Sequence, residues 1–599
     1  MGPDPIPSDG APSEPTDAAA PADAAERPKH RPRFWVLIAL GVVVLAAVVT
    51  GVVVTVSAFT ARGELDAAVA LAPKLENAVR HGDTAEAGKL AAAFEKHTSS
   101  AAGATHSPFW SIGEVVPGIG PNLVAVRIVA ETAESLGRDA VIPASSFSIH
   151  SLKPSGGGID LKELADSAPL VHSTADAVDN AVTRIHGIKT AGLLAPVAAQ
   201  VAKLDTQLTS VKTLADGLDA SIDLLPEAFG SDGPRHYLLV FQNNAEARAL
   251  GGNPAALLEV TVDNGKFTVS RQASSADFHH QANIPVSPEV SAVYGDVVGQ
   301  IIQNSTMVPD FPTVAGYAKT FWADRYGTQV DGVVSFDPVA LSYLLKAIGP
   351  VKLDTGDVLT SDNAVKLLLS TVYDRYRIPA DQDAFFASVA SSMFTTLVSG
   401  KGEVNDIADE LSRSINNGRL LLWSGDSAEQ SLIADGRIAG MLPADNTTST
   451  VVGAWVNDFT FAKMDYYVDS KVTAQPSCGA DPSSVSMSLK NTAPAGTGVL
   501  PPYVTGPIYL DGVIHTDVVL TGPVGSTLVG VQVDGSTVAP AGSGVIDGRP
   551  VVRTSITIAP GTQKAVTATF APVAGASSNL VVRSTPMVRD TAATITPCG

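Results

Sequence analysis

The hydrophobic pattern begins with an apolar run from Phe34 to Phe59 that contains no charged residue. At about 1.5 Å per helical residue, a run of this length can span a hydrocarbon core of about 30 Å. A cleaved signal peptide ending near Ser57 is the alternative, but the apolar core of a signal peptide is only about 7–15 residues long. The pattern therefore predicts a retained transmembrane helix over 34–59, in contact with the lipid bilayer.

The residues before this run predict its orientation. Residues 1–26 are rich in Pro, Ala, Asp and Ser and contain no aromatic residue, which is typical of a disordered segment. The run is then preceded by four basic residues and followed closely by only one, Arg62. Because basic residues favour the cytoplasmic side, we expect a disordered cytoplasmic tail over 1–33 with a basic juxtamembrane cluster. The protein would be a single-pass protein of the cell membrane, with the bulk of the chain extracytoplasmic.

Residues 62–229 have a helical pattern. Between Val197 and Leu225 the apolar residues recur in steps of three and four, which places one apolar stripe along a helix. Short connections and glycine breaks favour a compact helical bundle over a coiled-coil stalk, although both fit the pattern. The stripe is interpreted as internal core, with a partner-binding surface as the alternative.

The pattern changes at Arg235, where strands and helices alternate. HYLLVFQN reads as a buried strand, and LLEVTVDNGKFTVS predicts a hairpin because Asn-Gly tolerates positive φ. Asp337 and Pro338 match the N-cap and first position of a helix. We expect an α/β core domain over 235–470.

From residue 471 onward the segments are short, rich in β-formers and separated by Gly, Pro and Asp, which predicts an antiparallel β-sandwich over 471–599. The fold class is therefore a multidomain α+β protein. It has an N-terminal transmembrane helix, a helical bundle, a central α/β domain and a C-terminal antiparallel β-sandwich.

Composition and charge narrow the function. The 599 residues carry 60 acidic and 40 basic side chains, a formal net charge of −20, which argues against non-specific binding of nucleic acid. The two cysteines, Cys478 and Cys598, are too few for a multi-cysteine zinc site. They bracket the predicted β-sandwich, and in an extracytoplasmic compartment we expect them to form a disulfide, with two free thiols as the alternative.

The stretch YLLVFQNNAEARALGGNPAALLEVTVDNGKFTV resembles the core motif of the bacterial domain of unknown function 4012 family. VDGVVSFDPVALSYLLKAIGPV, AKMDYYVD and LPPYVTG fit the same family. The resemblance implies a membrane-anchored cell-envelope protein, and it supplies no reaction.

Two stretches are similar, more distantly, to the LytR-CpsA-Psr proteins, which transfer glycopolymers from polyprenyl-pyrophosphate carriers to peptidoglycan. These stretches are VDGVVSFDPVALSYLLKAIGPVKL and VYDRYRIPADQDAFFASVASSMF. The resemblance implies a LytR-CpsA-Psr-like central domain in which Arg375 and Arg377 match a paired-arginine segment. Asn244, Glu246 and Arg248 lie where that family has an acidic, arginine-bearing turn.

The chemistry of that resemblance gives each residue a role. Asn244 and the three arginines would bind ligand, since Arg makes bidentate contacts to phosphate oxygens. Glu246 or Asp277 would be catalytic, by holding a divalent cation or by deprotonating an acceptor hydroxyl. No cofactor follows from the sequence itself, and Mg²⁺ is implied only if the protein is a transferase. Solvated charges or local ion pairs are the alternative for the arginines and for Glu246.

The sequence departs from that family where SRQASSADF separates Arg271 from Asp277. Three functions therefore stay open. The first is binding of a cell-wall polymer or a polyprenyl-linked precursor. The second is a phosphotransferase that moves glycopolymer from polyprenyl-pyrophosphate to a cell-wall acceptor. The third is a structural adaptor that recruits other envelope proteins.

Overall fold

The computed structural model describes residues 32–146, 153–278, 282–458, 460, 462–496, 498–506 and 511–598. The tail predicted over 1–33 lies outside these residues, apart from its last two positions, which begin the first helix.

Helix α1 (Pro32–Arg80) contains the predicted transmembrane run and continues well beyond it. Among the described residues it is the one helix long and apolar enough to cross a membrane, with a mean hydropathy of 2.6 over its most apolar window. The helix does not end at Phe59, because the residues after Phe59 pack against a second helix. Ala61, Ala68 and Ala78 are buried there, and their small side chains allow the two helices to approach closely.

Helix α2 (Thr84–Thr105) runs back along α1 after a turn at Gly82, whose φ is +66°. Asp83 caps α2 by accepting a hydrogen bond from the backbone N–H of Glu86. At the turn, Arg80 makes two hydrogen bonds of 3.2 Å to the carboxylate of Asp409, so this end of the hairpin is joined to the central region.

The remaining helices before residue 230 complete an all-helical region: α3 (Pro108–Glu114), α4 (Gly120–Leu136), α5 (Ile142–Ser145), α6 (Leu161–His186), α7 (Ala195–Ile222) and α8 (Leu225–Ala228). A π-helical turn over Gly137–Val141 joins α4 to α5. The predicted stripe on α7 is only partly core. It packs against α4 and α6 as far as Leu208, whereas Val211, Leu214 and Leu218 are exposed and Ile222 is buried again.

The central sheet has five strands in the order β3-β2-β1-β4-β7. They are β1 (Arg235–Asn243), β2 (Asn253–Asp263), β3 (Lys266–Ser274), β4 (Gly332–Phe336) and β7 (Leu420–Ser424), with a separate ribbon of β5 (Val351–Lys352) and β6 (Val358–Leu359). Among the described strands of this sheet, β1 and β4 pair in parallel and the other neighbours pair antiparallel. The predicted hairpin is confirmed: β2 and β3 are joined by Asn264 and Gly265, both at positive φ.

The helices of this central region are α9 (Pro288–Tyr294), α10 (Phe311–Tyr326), α11 (Pro338–Ile348), α12 (Ala364–Lys366), α13 (Val372–Arg375), α14 (Pro379–Val398), α15 (Val404–Asn416) and α16 (Ser427–Ile433). Asp337 caps α11 as predicted, since its Oδ1 accepts the N–H of Ala340 at 2.7 Å. A π-helical turn over Leu367–Thr371 connects α12 and α13.

Two further sheets follow, in the orders β13-β12-β16-β10-β9-β18 and β14-β15-β11-β8-β17. Their strands are β8 (Thr450–Asp458), β9 (Val468–Gln475), β10 (Ser483–Asn491), β11 (Ile514–Thr521), β12 (Leu528–Val533), β13 (Ser536–Thr537), β14 (Gly542–Ile546), β15 (Arg549–Ile558), β16 (Gln563–Phe570), β17 (Leu580–Ser584) and β18 (Ala592–Ile595), with a short helix α17 (Pro502–Thr505). The sheets share one hydrophobic core and so pack face to face.

The prediction of a purely antiparallel sandwich is wrong in two places. Strand β17 pairs in parallel with β8, and β18 pairs in parallel with β9, because the last two strands return to the outer edges of the two sheets. Strand β8 and the first three residues of β9 precede residue 471, so the sheets begin before the boundary expected there.

The C-terminal sheets and the central region share a core. One cluster of buried residues runs from Leu341 and Phe385 in the central helices to Val485 and Phe570 in the C-terminal strands. Cys478 and Cys598 form a disulfide that fixes the end of the chain beyond β18. The central region and the C-terminal sheets therefore form one packed unit.

Candidate functional site

The loop between β1 and β2 carries the motif predicted to bind pyrophosphate. We call residues 244–252 the motif loop, and every residue in it is buried. The carbonyl of Ala245 accepts the N–H of Asp465 at 3.0 Å, and that of Ala247 accepts the N–H of Asp458 at 2.9 Å. The motif loop thus pairs with the chain that follows β8 and joins the central sheet to the C-terminal sheets.

Glu246 and Arg248 are paired inside this junction. The carboxylate of Glu246 contacts Nζ of Lys463 and lies 3.6 Å from Nη2 of Arg248. The Glu246 and Arg248 side chains are 4% and 3% exposed, so neither can meet an external phosphate without opening of the fold. The local ion pair considered from the sequence is present.

Two further carboxylates make this junction acidic. Asp458 and Asp465 interact with the charges of Glu246 and Arg248, and Glu246 also pairs with Lys463, so the cluster holds three acids and two bases. Burial raises the pKa of Asp465 to about 7. The hydrogen bond that its carboxylate accepts from the N–H of Ala247 has the opposite effect and lowers the pKa. The pKa of Asp458 is also raised, by burial and then by the charge of Asp465. One proton held by this pair would leave the buried cluster electrically neutral.

Asn244 has a different partner. Its Nδ2 donates to Oδ2 of Asp337 and to the carbonyl of Pro586, while Asp337 also pairs with Nη1 of Arg419 at 2.7 Å. Both members of that ion pair are 2% exposed. Asn244 therefore links the start of α11 to the end of the C-terminal sheets.

The other predicted residues lie apart from the motif loop, each with its own surroundings. Arg375 is 41% exposed and pairs with Asp357 at 2.7 Å, which lowers the pKa of Asp357. Arg377 is exposed. Asp277 closes a capping box by accepting the backbone N–H of Ser274 at 2.7 Å. The structure brings Asn244, Glu246 and Arg248 into one buried region and leaves the other three elsewhere.

This arrangement does not fit the Mg²⁺ site that a transferase would use. The carboxylate of Glu246 is already neutralised by Lys463 and Arg248. Across the described ranges, no group of three or more His, Cys, Asp or Glu side chains is placed to hold a metal ion.

An apolar cavity lies beside the motif loop, at the carboxyl ends of the parallel strands β1 and β4. Its volume is about 30 Å³, and its lining includes Phe241, Phe336, Leu341, Leu368 and Phe386. This volume is far below the range of about 300–1,000 Å³ that is usual for ligand sites, so the cavity is too small for an isoprenoid chain.

A larger, polar groove lies in the helical region, between α4 with its π-helical turn on one side and α6 on the other. Its volume is about 490 Å³, within the range of about 300–1,000 Å³ that is usual for ligand sites. Seven of its nine lining residues carry a hydroxyl, amide or charged group, and the other two are alanines: Thr132, Ser135, Asp139, Ser173, Asp176, Ala177, Asn180, Ala181 and Arg184. We call this site the polar groove.

The geometry of the polar groove follows from two facing stripes. Ser173, Asp176, Asn180 and Arg184 recur in steps of three and four along α6, and small alanines between them leave space. Arg184 is oriented by Glu131 at 2.8 Å, with Ser135 Oγ at 3.4 Å from its other terminal nitrogen. This site was not predicted from the sequence, because a polar stripe on an amphipathic helix usually faces solvent. The one local signal was the small residues spaced four apart within it.

The fold defines a class: an α+β protein with an N-terminal helix suited to cross a membrane and a central mixed sheet packed against two further sheets. Residues 232–373 match the family model described as protein of unknown function (DUF4012). This match supports the resemblance to the DUF4012 family that the motifs predicted. It covers the chain from β1 to the start of α13, the region that contains the motif loop. No curated protein matches the chain, and the LytR-CpsA-Psr resemblance stays a prediction.

Proposed function

We propose that this is a membrane-anchored, extracytoplasmic envelope protein that binds a cell-wall polymer in the polar groove, without catalysis. The observation that carries the proposal is the lining of that groove, in which hydroxyl, amide, carboxylate and guanidinium groups converge. A glycan presents many hydroxyls, each of which can donate and accept hydrogen bonds. The groove supplies both kinds of partner along one open surface.

The distance from the bilayer favours a polymer over a lipid-linked precursor. Ser135 lies fifteen residues along α4 from Gly120, the membrane-side end of that helix, which is about 22 Å at 1.5 Å per residue. Similarly, α1 rises about 32 Å from Phe59 to Arg80, where it meets the central region. A polyprenyl chain would have to leave the membrane to reach either site.

A transferase has less support than binding. Its candidate residues are divided between a sealed cluster at the motif loop and separate positions at Asp277, Arg375 and Arg377. Phosphoryl chemistry needs cationic donors and a base around one reacting centre.

The test uses the full chain in lipid nanodiscs and fluorescent soluble fragments of cell-wall polymer. Asn180→Ala removes an amide from the polar groove, and Ala177→Trp fills it. We expect Asn180→Ala to weaken binding about five- to tenfold, because one or two hydrogen bonds are lost. We expect Ala177→Trp to abolish binding. Thr183→Ala, at an exposed position of α6 outside the groove lining, is the matched control and should bind normally.

Two results would overturn the proposal. The first is an absence of binding across wall polymers of different charge, or binding that both groove variants leave intact. The second is transfer of glycan from a labelled polyprenyl-pyrophosphate donor in the presence of Mg²⁺, which would restore the enzyme hypothesis.

A second candidate, the structural adaptor, rests on the exposed face of α7. Val211, Leu214 and Leu218 are spaced three and four apart and are 47%, 70% and 64% exposed. An apolar helical stripe of this spacing suits a partner helix. A photo-crosslinker placed at Leu214 should then yield one discrete adduct with another envelope protein, whereas a crosslinker at Ser173 on α6 should not yield it. Adducts at both positions, or at neither, would remove this candidate.

A further inference from the structure

The turn of the helical region that lies nearest the apolar run of α1 is itself apolar and exposed. We call residues 108–119, which comprise α3 and the turn after it, the membrane-facing tip. Five of its large apolar side chains are between 39% and 80% exposed: Phe109, Ile112, Val115, Val116 and Ile119. Exposed apolar groups clustered this closely mark a surface that contacts something other than water.

The pairing of α1 with α2 sets the level of the tip along α1. Nδ1 of His97 on α2 lies 2.6 Å from the carboxylate of Glu64 on α1, and α2 then runs eight residues further toward the apolar run. The chain next forms α3, in which Gly113 packs against Val54. A Cβ at Gly113 would lie 3.4 Å from Cγ2 of Val54 and 2.7 Å from Leu123, so the absence of a side chain allows this close approach.

The protein covers one face of α1 around Val54. From Leu40 to Val49 the side chains are exposed all round the helix, whereas Thr50, Val53, Val54, Ser57 and Ala58 are half-buried. The apolar run from Phe34 to Val52 is about 28 Å long as a helix at 1.5 Å per residue, close to the hydrocarbon thickness of about 30 Å. The tip is therefore level with the outer end of the hydrocarbon core.

The charge pattern of the tip agrees with a position at the outer end of the hydrocarbon core. Between His106 and Arg127 the only charged side chain is Glu114. Its carboxylate pairs with Nε of Arg127 at 2.6 Å and is 18% exposed, so its charge is turned toward the helical region. Apolar and aromatic residues without free charge are typical of elements that lie at a membrane interface.

We propose that the membrane-facing tip inserts into the outer leaflet beside α1. The occupant of this surface is the lipid bilayer, because the tip is continuous with the part of α1 that crosses it. The chain then holds the membrane at two places, a spanning helix and an interfacial element, and the second fixes the orientation of the helical region relative to the bilayer.

The test measures the depth of the tip in the bilayer with the full chain in phosphatidylcholine–phosphatidylglycerol vesicles. Val115→Cys and, separately, Ile119→Cys are labelled with an environment-sensitive fluorophore. The native cysteines are joined in a disulfide, so each variant has one reactive thiol. Lipids that carry a nitroxide near the top of the acyl chain should quench both probes, and the emission should shift to the blue.

Val529→Cys is the matched control, since Val529 is an apolar residue 62% exposed on β12 of the C-terminal sheets. We expect at least threefold less quenching there. Emission and quenching at both tip positions equal to those at Val529 would overturn the proposal. A blue shift without quenching by lipid would overturn it too, since the tip would then be covered by protein.

Discussion

The backbone N–H of Ala247 donates a hydrogen bond of 2.8 Å to Oδ2 of Asp465, 218 positions later in the chain. Next to it, Glu246 contacts Lys463 across a similar separation. These bonds join the DUF4012-matched segment to residues beyond it. The central region and the C-terminal sheets should therefore fold together, because neither satisfies the buried polar groups of the motif loop by itself.

The raised pKa of Asp465 predicts how stability depends on pH. An unfolded Asp has a pKa of about 3.9, whereas that of Asp465 in the folded chain is about 7. The folded state holds the extra proton between these values, so the free energy of unfolding should fall as pH rises from about 4 to about 7 and then level off. Asp465→Asn keeps an acceptor for Ala247 and should reduce the slope by up to about 1.4 kcal/mol per pH unit.

Denaturant unfolding of the detergent-solubilised chain at pH 5 and pH 8 measures this effect. Asp481→Asn, at an exposed position, is the control and should leave the slope unchanged. If the unfolding free energy of the Asp465→Asn variant has the same slope with pH as that of the unchanged chain, Asp465 does not have a raised pKa.

Removing one partner of the buried Glu246–Lys463 pair should strongly destabilise the fold. Lys463→Met removes one of the two cations that pair with the buried carboxylate of Glu246 and leaves Arg248 to balance it, which should cost about 3–5 kcal/mol of unfolding free energy. The double variant Glu246→Gln, Lys463→Met should recover much of that loss, because no charge is then stranded. Lys471→Met, exposed on β9, is the control. A double variant no more stable than the single one would mean that packing, and not charge, dominates at this position.

The exposed ion pair between Arg375 and Asp357 should contribute little to the free energy of unfolding. Arg375→Ala should change the unfolding free energy by less than about 1 kcal/mol, since exposed pairs contribute about that or less. We also expect it to leave binding of wall polymer unchanged. Calorimetry and the nanodisc binding assay measure the two quantities, and a large loss of binding would return Arg375 to the ligand site predicted from the sequence.

Loss of the Cys478–Cys598 disulfide should loosen the end of the chain. The bridge closes a loop with a separation of 120 residues, and removing a native disulfide typically costs about 2–5 kcal/mol. With both cysteines replaced by Ser, the amides of β18 should exchange with solvent faster, because β18 is an edge strand paired only with β9. Hydrogen exchange by mass spectrometry compares β18 with β10, an inner strand that should stay protected. Unchanged exchange in β18 would show that strand pairing alone holds the chain end.

Local patterns predicted the elements better than the site. The Asn264-Gly265 hairpin and the Asp337 cap follow from backbone preferences that act over a few residues, so the sequence is sufficient for them. The burial of Glu246 depends on Lys463, more than two hundred positions away, and no local rule anticipates that pairing. The parallel placement of β17 and β18 was missed for the same reason: strand direction is set by where distant strands end.

The helical stripe on α7 shows a second limit. Its periodicity correctly predicts a helix, but periodicity cannot tell how far neighbouring helices extend along it. Leu208 is buried and Leu214 is exposed, although both fit one pattern. The polar groove could not be predicted for a similar reason, since it forms where α4 and α6 face each other and the pattern of one helix does not show its neighbour.

The unbroken length of α1 has a mechanical consequence. Because one helix runs from the apolar segment to the Arg80–Asp409 contact, any tilt of the apolar segment also displaces the far end of the helix. A tilt of about 10° would displace the far end sideways by about 6 Å over the roughly 32 Å that α1 extends past Phe59. The tilt of the apolar segment would in this way set the sideways position of the rest of the molecule relative to that segment.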